Sequence, residues 1–161
     1  VRYAQLFEYE QVKRVDCNRG TSGIDGATST AVGASWVNEE KTIFITGDMG
    51  FLYDSNALWS HYVTPKLKIV VMCNDGGGIF RFIQGPSELP ELEEFFETYR
   101  QVDVEGFARL HGFSCWSVFE EQALQNVLPA FFAEKESASI LAVHTPREVN
   151  DRILNGYFKR K

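Results

Sequence analysis

Ile43-Phe44-Ile45-Thr46-Gly47-Asp48-Met49-Gly50 and, further on, Ile69-Val70-Val71-Met72-Cys73-Asn74-Asp75-Gly76-Gly77-Gly78-Ile79-Phe80 decide how this sequence folds. Each stretch is a short apolar, β-branched run that breaks into glycine and a hard oxygen side chain. Runs without polar alternation predict strands buried on both faces, as in a parallel sheet. Between them, Asp54-Ser55-Asn56-Ala57-Leu58-Trp59 supplies N-cap residues followed by helix formers. The unit is strand–helix–strand, with Asp48 and Asn74 just beyond the carboxyl ends of their strands. Ligands of open α/β sheets bind along that edge.

If the two strands are neighbours, they lie about 4.8 Å apart, and the Asp48 carboxylate and Asn74 amide oxygen converge. Two hard oxygens on glycine-rich backbone suit Mg²⁺, which takes few protein ligands and completes its shell with water and phosphate oxygens. Glycines at 47, 50, 76, 77 and 78 would let a phosphate approach the main chain. Either half taken alone is better read as a capped turn, and it is the two together that point to a site.

Outward from this centre, strand and helix patterns alternate. Tyr3 to Gln11 reads as a short helix and Arg14-Val15-Asp16-Cys17 as a strand. Gly26 to Ala34 is built of small residues that permit close packing, on the sheet or on a partner subunit. Gln84 to Arg100, with Pro86, Pro90 and several glutamates, reads as a surface loop and helix cap, and its acidity suggests no site. Asp103 is placed to cap a helix from Val104 to His111 that Gly112 stops. A strand over Cys115–Val118, a helix over Glu120–Lys135, a strand over Ser139–His144 and a last helix from Glu148 complete the pattern. The expected fold is a doubly wound, mainly parallel α/β sheet with helices on both faces.

The 161 residues are expected to form a single domain, and 44% hydrophobic content is that of a packed globule. Net charge −6 argues against broad nucleic-acid binding, and no stretch is apolar enough for a membrane span. The chain opens on Val1 without a signal peptide, which reads as an excised domain. Cys17, Cys73 and Cys115 show neither disulfide nor zinc spacing, so a reducing cytoplasm is the expected setting. His61, His111 and His144 have no spacing relation to a nucleophile. P-loop, dinucleotide and nucleophile-elbow motifs are all absent.

Gly47-Asp48, a spacer, then Asn74-Asp75-Gly76 resembles the metal–diphosphate motif of thiamine-diphosphate enzymes. Asn18-Arg19-Gly20-Thr21-Ser22-Gly23-Ile24-Asp25-Gly26, Phe51-Leu52-Tyr53-Asp54-Ser55-Asn56-Ala57-Leu58 and Asn74–Phe80 bring it closest to the carboligases of menaquinone biosynthesis. The resemblance covers nearly the whole chain and corresponds to the carboxyl-terminal domain of such enzymes. It implies thiamine diphosphate with Mg²⁺ (or Mn²⁺) held by Asp48, Asn74 and the Gly76 carbonyl. The backbone of Gly47, Met49 and Gly50 would cradle the diphosphate. Ile24 would wedge the cofactor into its bent, reactive shape, Ser22 would orient its amino group, and Ile79 would lie against it.

The implied substrates are 2-oxoglutarate, which loses CO₂, and isochorismate, which accepts the resulting carbanion equivalent. Both are carboxylates, and Arg19 and Arg2 match substrate-binding arginines. Ile79, Phe80 and Ile83 match apolar positions lining the site. The activating glutamate would come from an amino-terminal pyrimidine-binding domain of a partner subunit in a homodimer or homotetramer, so this chain alone is expected to be catalytically silent. Met49 and Cys73 depart from the Gly-Asp-Gly and Asn-Asn found in many such enzymes. Two other readings stay open: another thiamine-diphosphate decarboxylase or carboligase, and a non-catalytic Mg²⁺–phosphate module.

Overall fold

In a computed structural model, which describes residues 12–18, 20 and 23–158, four strands form one parallel sheet. They are β1 (Thr42–Gly47), β2 (Leu67–Cys73), β3 (Ser114–Val118) and β4 (Ser139–His144), in the spatial order β1-β2-β4-β3. Among the described residues five α-helices accompany them: α1 (Ala27–Val37), α2 (Asp48–Tyr53), α3 (Val104–His111), α4 (Glu121–Ala133) and α5 (Asn150–Phe158). The expected helix over Tyr3–Gln11 lies outside the described residues.

The order of strands decides where the helices go. From β1 to β2 and from β2 to β3 the chain steps in one direction across the sheet, and from β3 to β4 it steps back. Right-handed crossovers then require the helix to change faces. Accordingly Phe51 of α2 and Val104 and Ala108 of α3 join α1 on the face of Ile69, Val71 and Ile140. Phe131 of α4 packs with Leu141 and Val118 on the other. The fold is the doubly wound arrangement that the alternating patterns predict.

The expectation of burial on both faces is met on one face of β2, with Val70 and Met72 half-buried on the other, and fails for β1. Leu67, Ile69, Val71 and Cys73 are buried, whereas β1 alternates, leaving Ile43 and Ile45 each 53% exposed. β1 is an edge strand among the described residues, and α4 reaches only the β3–β4 half of that face. Arg14–Cys17 does not form the expected strand, because no described strand offers it a ladder. At the amino ends of the strands Lys68 is fully buried, its Nζ donating to the Glu134 carbonyl at 2.7 Å and to Ser139 Oγ at 2.8 Å. Burial pushes its pKa down.

Helix ends follow the local chemistry. Asp103 accepts a hydrogen bond from the Gly106 N–H at 2.7 Å, and Gly112 stops α3 at φ 71°. Pro129 sits inside α4 at an exposed position, where the lost N–H leaves the carbonyl of Gln125, also an exposed residue, without its helical partner. Ser55–Trp59 is a single 3₁₀ turn, and Asp54 does not cap it through its side chain. Instead Asp54 takes the Ser29 N–H at 2.7 Å and the Ser29 hydroxyl at 2.8 Å, tying α1 to the segment after α2.

Two substitutions separate capping from core packing in urea melts. Asp103→Ala is expected to cost about 1 kcal/mol and Phe51→Ala, fully buried, about 3–5 kcal/mol. Equal losses would contradict this division.

Candidate functional site

The parallel pairing of β1 with β2 sets Gly47 opposite Met72, so both strands end at the same edge. The chain enters α2 at Asp48, and this carboxylate is only 1% exposed. Its Oδ2 accepts the backbone N–H groups of Asn74 at 3.0 Å, Asp75 at 2.7 Å and Gly76 at 3.3 Å. Among the described residues its Oδ1 accepts only the N–H of Met49, at 2.8 Å. Burial pushes the Asp48 carboxyl above its ordinary value, and the four N–H donors oppose burial without cancelling it.

The glycines of the loop have separate structural reasons. Gly76 adopts φ 148°, and a Cβ there would stand 2.7 Å from the Glu97 carbonyl oxygen. Gly77 donates its N–H to that oxygen at 2.7 Å, and Gly78 donates to the Gly76 carbonyl at 3.0 Å. A Cβ on Gly78 would collide with the Asn74 amide. Asp75 reaches φ 62°, and its carbonyl accepts the Arg100 N–H at 3.1 Å. The N–H groups of residues 74–78 are thus all turned to protein acceptors, and the glycines allow close approach of one backbone to another.

The donor set fits a small hard cation. Asp48 Oδ1 carries one hydrogen bond and has a lone pair to spare, the Asn74 side chain is half-buried with its amide at Gly78, and the Gly76 carbonyl carries one hydrogen bond. Among the described residues no three His, Cys, Asp or Glu side chains gather for a metal, so a cation here needs the amide and a main-chain oxygen. Cys73 supplies no thiolate: burial, with the charges of Asp48 and Asp75, pushes its thiol up to about 12. Ile24 is 44% exposed and near Gly50, where an added methyl would stand 3.9 Å from Ile24 Cβ and 2.9 Å from Thr46 Oγ1. Ile79 and Phe80 lie on the 3₁₀ turn Gly78–Arg81, and Phe80 meets Phe96 edge-on at 5.7 Å. Ile83, beyond that turn, is 41% exposed. Arg2, Arg19 and Ser22 lie outside the described residues. A cavity of about 470 Å³ opens beside Met49 and is bordered by Tyr99 and Arg100.

The acidic stretch expected to be a plain surface loop contains a buried charge cluster instead. Glu97 ends a π-helical turn (Leu92–Glu97) and is fully buried. Its carboxylate accepts Arg81 Nε and a terminal Arg81 nitrogen, both at 2.7 Å, and an Arg147 nitrogen at 2.8 Å. Exposed Glu93 balances the second arginine, 2.9 Å from Arg81 and 3.2 Å from Arg147. Burial acts to raise the Glu97 carboxyl, but the two guanidinium groups outweigh it and hold it below the usual range. Nothing in the acidic run marks Glu97 out from Glu93 or Glu94. A pointer was Arg81, so close after the glycine loop.

Known proteins resemble this chain over most of its length. Residues 1–143 match the family described as thiamine pyrophosphate enzyme, C-terminal TPP binding domain. The chain is 43% identical over 158 residues to the 2-succinyl-5-enolpyruvyl-6-hydroxy-3-cyclohexene-1-carboxylate synthase of Christiangramia forsetii, covering 98% of this chain and 27% of that protein. The proteins of the same name from Porphyromonas gingivalis and Flavobacterium psychrophilum are 49% and 45% identical over 159 residues each. Those matches cover 98% and 99% of this chain, and 28% and 29% of the relatives' own lengths. The chain belongs to the thiamine pyrophosphate enzyme family, matching its C-terminal cofactor-binding domain.

Two measurements test the geometry. Gly78→Ala is expected to displace the Asn74 amide, shifting its side-chain NH₂ resonances in NMR spectra while those of Asn126 stay in place; unmoved Asn74 signals would refute the contact. Glu97, with a lowered folded pKa, contributes stability present above its unfolded value and lost as pH falls through the folded one. Glu97→Gln should therefore cost about 3–5 kcal/mol at neutral pH, and its urea midpoint should fall less steeply than the wild type's on acidification to about pH 3. Parallel pH dependences would contradict the assignment.

Proposed function

We propose that this chain is the cofactor-binding domain of a synthase of menaquinone biosynthesis that decarboxylates 2-oxoglutarate and joins the four-carbon remainder to isochorismate. The observation that carries the reading is the convergence of Asp48 and the Asn74–Gly76 loop at one sheet edge, in a chain matched over 98–99% of its length by proteins named as that synthase. The whole chain, 1–161, is read as one domain, the carboxyl-terminal one.

Asp48, Asn74 and the Gly76 carbonyl are assigned to Mg²⁺ (or Mn²⁺). Buried Asp48 is a carboxylate that ionises reluctantly, and a divalent cation would favour its charged form. Thiamine diphosphate supplies a stabilised carbanion when bound, and the protein's share is orientation and electrostatics. Gly47, Met49 and Gly50 are assigned to the diphosphate at the start of α2. There the Gly50 position has no room for a side chain beside Thr46. Ile24 is assigned to the shape of the bound cofactor, and its partial exposure near Gly50 supports that role. Ser22 is assigned to orient the cofactor's amino group.

Arg19 and Arg2 are assigned to substrate carboxylates, and Ile79, Phe80 and Ile83 to the apolar wall. Phe80, which also braces Phe96, serves packing as well. The assembly proposed is a homodimer or homotetramer in which the pyrimidine-binding domain of a partner subunit supplies the activating glutamate, leaving this chain alone without turnover. The proposed setting is the cytoplasm, where the free thiols of Cys17, Cys73 and Cys115 persist.

An NMR titration with thiamine diphosphate, with and without Mg²⁺, tests the reading. Mg²⁺-dependent shifts are expected at Gly23–Ile24, Gly47–Gly50 and Asn74–Ile79, and Asp48→Ala should abolish them. Equal response to inorganic pyrophosphate and to the cofactor would favour a plain Mg²⁺–phosphate module. No Mg²⁺-dependent response, even with the amino-terminal domains added, would overturn the assignment.

A further inference from the structure

The cluster around Glu97 lies outside the set of residues assigned to cofactor or substrate, yet it touches the cofactor loop at both ends. The Glu97 carbonyl accepts the Gly77 N–H at 2.7 Å, where the glycine loop leaves Asp48. Four residues later its carboxylate grips Arg81 through two hydrogen bonds of 2.7 Å. Between those grips lie Gly78, against which the Asn74 amide rests, and Ile79 and Phe80 of the proposed apolar wall. Arg147, beyond β4, fastens the same carboxylate at 2.8 Å and stacks its guanidinium 5.0 Å from the Tyr99 ring. Two further contacts complete the frame: the Arg100 N–H donates to the Asp75 carbonyl, and the Cβ position of Gly76 lies against Glu97.

We propose that Glu97 is a positioning residue: one side chain and its own carbonyl clamp the segment Gly77–Arg81, and through it set the Asn74 amide and the apolar wall. The inference rests on the function proposed above for Asn74 and Ile79, but the clamp is a property of the chain and is testable without ligand. Asp48 fixes the first half of the loop through the N–H groups of residues 74–76, and Glu97 fixes the second half. A buried carboxylate held by two guanidinium groups is a costly way to gain stability alone. Its geometry is directional, and an apolar core contact in its place would leave Arg81 free to turn.

The test is amide hydrogen exchange in the intact protein, comparing wild type with Glu97→Gln and with the milder Arg81→Lys, which keeps the charge and loses the fork. Both variants are expected to lose at least tenfold protection at Gly77 and Phe80, while Ile69, Val71 and Ile140 in the sheet lose markedly less. Asn74 side-chain resonances should broaden or move in the same variants. Unchanged protection at Gly77, or losses equal to those of the sheet, would overturn the clamp, and if Glu97→Gln fails to fold, Arg81→Lys decides. Mg²⁺-dependent binding of thiamine diphosphate is then measured on the same samples, with about a tenfold weaker affinity expected in the variants. Wild type that binds no cofactor would count against the proposed function alone, because the exchange result stands apart from it.

Discussion

A single buried carboxylate organises the ligand edge of this molecule. Asp48 accepts three consecutive backbone N–H groups from a loop that follows a different strand. Backbone donors in a half-buried to buried loop need acceptors, and this one carboxylate oxygen serves all three. The carboxylate is thus a structural keystone before it is anything else. Its second oxygen accepts the Met49 N–H at the start of α2. The parallel register of β1 and β2 is the precondition, since a slip of one residue would turn Asp48 toward the opposite face.

The remaining architecture places that carboxylate at a crevice. A chain that steps across the sheet and then back must put helices on both faces, and its strand ends collect the loops along one rim. Asp48, Asn74, Gly78 and the turn that carries Ile79 all lie on that rim. Lys68, buried at the opposite ends of the strands, belongs to the stability of the sheet rather than to its function.

Much of this was legible because the signals were local. Asp48 and Asn74 each follow an apolar run and precede glycine, and Asp103 and Gly112 bracket an amphipathic octet with the expected cap and stop. What escaped reading depended on distant partners. Glu97 is one glutamate among several, and only the fold brings Arg81 and Arg147 to it. Asp54 looked like a cap for the residues after it and instead reaches back to Ser29. Arg14–Cys17 has strand-like residues, yet strand formation needs a neighbour as well as a propensity. Ile43 and Ile45 match buried residues in type, and no local signal says that β1 ends the described sheet.

That last feature has a practical side. Ile43 and Ile45 stand on an edge strand whose outer hydrogen-bonding groups have no ladder partner among the described residues. Such an edge is a template for intermolecular pairing, and natural proteins usually blunt it with charge or proline. β1 itself carries neither, so what opposes such pairing is the net charge of −6, a long-range repulsion that salt screens. Raising the ionic strength would therefore push concentrated solutions toward strand-to-strand oligomers, and a lysine at position 45 would be the simplest remedy.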